Sequence, residues 1–237
     1  MTKLLLTCEH AVNIIPTEYS RLLNIPANAL NSHRGFDRGA YELCTYLPTM
    51  LKCECVTGEY SRLLVDLNRS KSGKNLFSEY SRKLTRAQRQ NILTDYYFPY
   101  REKVERFVTE NIMHKHKIVH FSIHSFTPVL DGKTRNADIG LLYDPARSTE
   151  KKIANKIKHK LENLPIDIKV RRNYPYRGVS DGMVSHLRKK LKQSDYVGFE
   201  LEFNQNLFTR HKMPGRILLN EIKTHLPGIL RNATMIT

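Results

Sequence analysis

Short apolar runs, most of them followed at once by polar residues, alternate along this chain with stretches whose apolar positions recur at helical spacing. That alternation restricts the fold more than any other feature. A run too short for a helix has to pair with others in a sheet, and the intervening helices have to cover that sheet. Residues 3–7, 53–57, 61–65, 117–123, 138–143, 166–171 and 196–203 read as strands. Helices are expected over 37–51, 149–161, 181–191 and 214–225. One more starts at an N-cap Thr85, is interrupted or kinked at Pro99 and runs on to about residue 113. No repeat, low-complexity tract or linker divides the 237 residues. The expectation is therefore an α/β protein, a single domain over 1–237, with a mixed, mostly parallel sheet and helices on both faces.

Composition enters as a set of exclusions. A hydrophobic fraction of 40%, with twelve Tyr and nine Phe, supplies a sizeable core and excludes disorder. No apolar run approaches the roughly 18 residues of a membrane span, and the first ten residues lack a signal-peptide core. Cys8, Cys44, Cys53 and Cys55 form no zinc-finger pair and fit reduced thiols, so a soluble cytoplasmic protein is expected. The charge is less ordinary: 39 Lys+Arg against 23 Asp+Glu give +16, and residues 151–192 hold thirteen basic and three acidic residues. Two readings follow, a basic face for nucleic acid or another polyanion, or a solvated helix face. No RNA-recognition, helix-turn-helix or zinc-finger signature accompanies the surplus, so nucleic acid is not the expected main partner.

Five polar clusters stand at the ends of the expected elements. They are Cys8-Glu9-His10, His33-Arg-Gly-Phe-Asp37, Asp66-Leu-Asn68-Arg69, His124-Ser125 and Glu200-Leu-Glu202. In open α/β sheets ligands bind outside the carboxyl ends of the strands. Two histidines and a carboxylate are the ligand set of a catalytic zinc site that keeps one position open for water. A further carboxylate serves there as general base, and an arginine clamps a substrate carboxylate. Each cluster alone has a bland alternative: a hydrogen-bonded structural histidine, a side-chain-stabilised turn at 66–69, or a glutamate paired with a surface lysine. Their conjunction is what points to a metallohydrolase.

Longer segments sharpen this. Cys8-Glu-His-Ala-Val-Asn-Ile-Ile-Pro16, His33-Arg-Gly-Phe-Asp-Arg-Gly-Ala40, Ser61-Arg-Leu-Leu-Val-Asp-Leu-Asn-Arg69, Ile123-His-Ser-Phe126, Asn173-Tyr-Pro-Tyr-Arg-Gly178 and Glu202-Phe-Asn-Gln-Asn-Leu207 follow one another across nearly the whole chain. In these segments the chain resembles the N-formylglutamate amidohydrolase family, whose fold is similar to that of zinc carboxypeptidases and aspartoacylases. The resemblance implies a phosphorylase/hydrolase-like fold of the zinc-exopeptidase type and one Zn²⁺ per chain. It implies hydrolysis of the amide of an N-acyl amino acid, foremost N-formyl-L-glutamate to formate and L-glutamate. His10 and His124 are the implied metal ligands. Asp37 is the expected third, with Glu9 as its substitute, because Asn13 stands where carboxypeptidases place a glutamate. Glu202 aligns with the general base. Asn68 and Arg69 resemble the pair that holds the substrate carboxylate, with Arg62 as helper. Arg172 or Arg177 is expected at a second carboxylate, and Tyr174 or Tyr176 near the reacting carbonyl. Asn204 and Asn206 depart from the Arg and Asp usual in the family at those places, which leaves the substrate open. The alternatives are a zinc carboxypeptidase or deacylase of the same fold, or an inactive homologue holding a polyanion on its basic face. Oligomeric state is not legible.

Overall fold

Among the described residues the strands are, in chain order, β1 (Thr2–Cys8), β2 (Glu54–Thr57), β3 (Lys117–Phe126), β4 (Val129–Leu130), β5 (Lys133–Thr134), β6 (Ile139–Leu142), β7 (Val170–Arg172) and β8 (Tyr196–Asn204). The computed structural model describes residues 1–209 and 213–235. Six strands make one sheet in the order β2-β1-β3-β8-β6-β7, and β4 and β5 form a separate hairpin. Every neighbouring pair in the sheet is parallel except β6 and β8. The mixed, mostly parallel α/β sheet read from the sequence is the observed one.

The helices are α1 (Thr17–Leu23), α2 (Ala27–Leu30), α3 (Ala40–Leu51), α4 (Arg86–Ile92), α5 (Phe98–Met113), α6 (Ser148–Glu162), α7 (Met183–Lys190) and α8 (Met213–Thr234). Side chains on a strand point alternately to its two faces, and the two faces gather different partners here. Leu6, Val119, Phe121, Val197 and Phe199 face one way and pack with α3, α6 and α8. The Phe121 and Phe199 rings stack at 5.2 Å across β3 and β8. Each such buried side chain contributes about 1.5–3 kcal/mol. Leu5, Ile118 and Tyr196 face the other way, against α4, α5 and α7.

That second face changes character along the strands, and the change positions the site. On β3 it reads Ile118, His120, Ser122, His124, and on β8 Tyr196, Gly198, Glu200, Glu202. All eight are buried. It is apolar at the start of each strand and polar at the carboxyl end, where β3 and β8 run side by side with His124 opposite Glu202. Beyond β6, which pairs with β8 only as far as Glu200, a buried ion pair completes the β8 edge. Glu150 of α6 accepts from the Gly198 N–H at 3.2 Å, and Arg188 of α7 donates to the Gly198 carbonyl at 2.6 Å. Glu150 and Arg188 meet each other at 3.0 Å.

Several expected elements moved. Residues 61–65, read as a strand, form a turn in which all but Arg62 are buried. The Ser61 N–H bonds to the Ile14 carbonyl and Leu64 N–H to the Ser61 carbonyl, so the segment joins no sheet. A short buried apolar run does not by itself distinguish the two outcomes. The helix expected from Asp37 begins at Ala40, leaving Asp37 in the preceding loop. The strand expected over 166–171 is confined to Val170–Arg172, and α8 continues to Thr234, past Pro227. Thr85 caps α4 with a reciprocal capping box to Gln88. The interruption expected at Pro99 takes the form of a widened π turn over Leu93–Tyr97, with the proline in the first turn of α5. Proline lacks an N–H and crowds the carbonyl four residues back, so the turn before it has to open.

On α6, Ile153, Ala154, Ile157 and Leu161 face the core, while Lys151, Lys152, Lys156 and Lys160 are exposed. The α6 part of the basic stretch is thus the outer face of an amphipathic helix. Among the described residues no helix is long and apolar enough to cross a membrane.

Candidate metal centre and its cleft

His124 reaches the site from β3, and His10 from the turn just after β1. The His10 carbonyl accepts from the Asp37 N–H at 2.9 Å, which ties the loop before α3 to the end of β1. That loop turns at Gly39, whose φ of 85° suits glycine and whose missing Cβ leaves room for the Phe208 ring. The result is a buried triad. His10, Asp37 and His124 each offer one ligand atom, and the three atoms lie within 4.8 Å of one another. Asp37 Oδ2 is 2.9 Å from His124 Nδ1 and 3.4 Å from His10 Nδ1.

The outer ring nitrogens are held by other carboxylates. His10 Nε2 lies 2.7 Å from Asp66 Oδ1, and His124 Nε2 3.3 Å from Glu9 Oε2. Glu9 also accepts from Ser122 Oγ at 2.6 Å and from the Tyr100 hydroxyl at 3.1 Å. With His10 Nε2 donating to Asp66, Nδ1 keeps its lone pair, and this buried atom has no hydrogen-bond partner. Two Nδ1 atoms and a carboxylate oxygen converging on one point, each imidazole fixed from behind by an acid, are the donor set and support of a catalytic zinc site. The residues therefore fit a divalent ion. Glu9, the substitute third ligand, stands behind His124 and already carries Ser122 and Tyr100.

The charges agree with this placement. Burial alone would raise the Asp37, Asp66 and Glu9 carboxyls, but their neighbours hold all three well below the usual range. Those neighbours are His10 and His124 at Asp37, Arg62, His10 and Arg69 at Asp66, and His124 and Ser122 at Glu9. Glu202 is different. Burial, with Asp37 and Glu200 nearby, pushes it up to about 8 against the pull of His124. Its buried Oε2 has no hydrogen-bond partner. A carboxylate poised near neutrality and unbonded on one oxygen is suited to proton transfer.

A cleft of about 190 Å³ opens over the cluster, and His10, Asp37, Arg62, Asn68, Arg69, His124, Tyr176 and Glu202 all line it. Sequence elements from 10 to 202 thus meet at one place. The model for the N-formylglutamate amidohydrolase family matches residues 2–209. The chain belongs to the N-formylglutamate amidohydrolase family. A gene product of Agrobacterium tumefaciens superimposes on it with a TM-score of 0.80 at 27% identity, over 98% of this chain and 90% of that one. The N-formylglutamate amidohydrolase of Ralstonia eutropha gives 0.71 at 17% identity, over 98% and 93%, which shows a shared fold. No curated protein matches the sequence.

Within this amidohydrolase family frame, single residues sort further. Arg62 donates to Asp66 at 2.9 Å and lies 3.7 Å from Asp37, so its charge is engaged by the two acids. Arg69 is looser, 3.9 Å from Asp66 through Nε, with one NH group on the Asp181 carbonyl. Asn68 Oδ1 accepts from the Met183 N–H at 2.7 Å, which holds its side chain at 3.3 Å from the His124 ring. Arg172, expected at a second carboxylate, is instead exposed on β7, bonds Asn155 of α6 at 2.7 Å, and stays outside the cleft, whereas Arg177 lines it. The loop carrying Tyr176 and Arg177 is pinned by Asn173, whose Oδ1 accepts from the Tyr143 and Gly178 N–H groups. Gly140 lets this loop close over the sheet, since a Cβ there would sit 1.9 Å from the Tyr174 carbonyl oxygen. Tyr174 itself donates nothing to the cleft; its hydroxyl accepts from the Asn136 N–H. Asn204 is buried scaffolding that donates to the Ala137 carbonyl and accepts from the Asn206 N–H. Asn13 bonds Asn31 at the surface.

The sequence does not reveal Asp66 as the partner of His10, although it belongs to the polar segment Asp66-Leu-Asn68-Arg69. Nothing in spacing ties residue 66 to residue 10. Arg135 and His33, which also line the cleft, had no role assigned for the same reason.

Proposed function

We propose that this chain is a zinc-dependent amidohydrolase that cleaves the amide of an N-acyl amino acid, with N-formyl-L-glutamate as the first substrate, giving formate and L-glutamate. One observation carries the reading: the unpartnered, buried His10 Nδ1 converges with Asp37 and His124 beside the unbonded Oε2 of Glu202. A divalent ion held by His10, Asp37 and His124 would supply Lewis-acid polarisation of the amide carbonyl and a lowered pKa for an attacking water. The protein groups do the rest. Asp66 and Glu9 fix the His10 and His124 rings so that both Nδ1 atoms face inward. Glu202 Oε2 takes the proton of the attacking water as its oxygen bonds the acyl carbon, and returns that proton to the leaving nitrogen as the C–N bond breaks. Water and N-formylglutamate are thereby converted to formate and glutamate with no other reactant. Arg69, less tightly paired than Arg62, holds the α-carboxylate, with Asn68 and Arg62 keeping that wall in place. Tyr176, at the cleft mouth, borders the substrate.

Glu202→Gln tests the assignment. It keeps the shape and removes the base, so formate release should fall by about 10²–10⁴-fold while zinc content per chain stays at the wild-type level. Retained formate release would assign the proton transfer elsewhere.

A further inference from the structure

Arg62, Arg69, Arg135 and Arg177 all line the cleft, and they differ in what already holds them. Arg62 and Arg69 lean on Asp66. Arg135 has no carboxylate within ion-pair distance among the described residues. It is nonetheless held in place: its guanidinium carbon lies 5.2 Å from the Tyr176 ring centroid and 5.9 Å from that of Phe126. One NH group is 3.5 Å from Thr127 Oγ1. Its backbone N–H bonds the Pro128 carbonyl at 2.7 Å, closing the base of the β4–β5 hairpin. Arg177, exposed on its loop, has no such seat. Phe126, one of the rings beside Arg135, lies two residues beyond His124 on the same strand. Asp37, Glu200 and Glu202 line the same cleft. A second carboxylate on the substrate is disfavoured beside those acids and finds an unengaged counter-charge at Arg135.

We propose that Arg135, seated against Phe126 and Tyr176 at the base of the β4–β5 hairpin, is the specificity-determining residue that recognises the side-chain carboxylate of the N-acyl amino acid. The proposal rests on the amidohydrolase reading above. A guanidinium presented by two aromatic rings keeps its donor edge free and has lost its rotamer freedom beforehand, which favours a planar anion.

The test compares N-formyl-L-glutamate with N-formyl-L-glutamine, near-isosteres that differ by one charge, on zinc-supplied wild type, Arg135→Gln and Arg135→Lys. Loss of a charge-assisted hydrogen bond should lower the glutamate-to-glutamine ratio of kcat/KM by about 10- to 100-fold in Arg135→Gln. Most of the change should fall in KM, and Arg135→Lys should recover part of it. A wild-type ratio in Arg135→Gln overturns the proposal. The same proteins are titrated with L-glutamate and L-glutamine by calorimetry. If wild type hydrolyses neither amide, the N-formyl-L-glutamate assignment of the reading above fails. Weaker glutamate binding confined to Arg135→Gln still supports the role of Arg135, and equal binding, or none, overturns it.

Discussion

His10 shows how much a single side chain depends on one behind it. Its Nδ1 can serve as a ligand only while Nε2 keeps the proton, and Asp66 at 2.7 Å enforces that tautomer. Asp66→Asn should therefore weaken zinc binding by about 10- to 100-fold without touching the ligands themselves, measured by competition with a chromogenic chelator. Wild-type affinity in that variant would separate Asp66 from the metal centre. His120, four residues before His124 on β3, is the contrasting case. It is buried between Thr7 Oγ1 at 2.8 Å and the Tyr196 hydroxyl at 2.7 Å. Burial pushes its pKa down to about 4, against the pull of Glu9. The folded value lies below the unfolded one of about 6.5, so its contribution to stability is complete above that pH and is lost as pH falls towards 4. His120→Gln cannot titrate. Its stability deficit relative to wild type should shrink by about 2 kcal/mol between pH 8 and pH 5, read from denaturant unfolding of both proteins. A constant deficit would mean that His120 takes up its proton in the folded protein as it does in the unfolded chain.

Elements with a sustained period were legible in the sequence, and those without one were not. The β3 and β8 runs and the lysine-faced α6 lie within a few residues of where the pattern puts them, because burial on one or both faces leaves the register little freedom. The apolar run at 61–65 shows the limit. It is buried, yet its backbone bonds to Ile14 and to its own turn, and no local signal distinguishes that from a strand. The cleft was half legible for the same reason. His10, Asp37, His124 and Glu202 stand at the ends of elements, where chemistry gathers in this class of sheet. Arg172 fell outside because β7 starts at Val170 and sends that side chain to Asn155 of α6. Arg135 carried no signal because an eight-residue excursion after β3, not a repeating pattern, brings it to the rim.

At the scale of the whole molecule, the charge and the chemistry separate. The surplus cations of α6 lie on its outer face, while the site draws its residues from both ends of the chain and from the carboxyl ends of neighbouring strands. Such a site forms only when the sheet closes, so a metal held there would couple its binding to folding. Zinc content by elemental analysis of tag-free protein, with formate release from N-formyl-L-glutamate assayed on the same sample before and after chelation, is the most direct measurement. About one zinc per chain, as a single three-ligand centre requires, and formate release that chelator abolishes and zinc restores are the expected results. A protein that retains no zinc after it is supplied would contradict the metal centre, and with it the reaction assigned to the cleft.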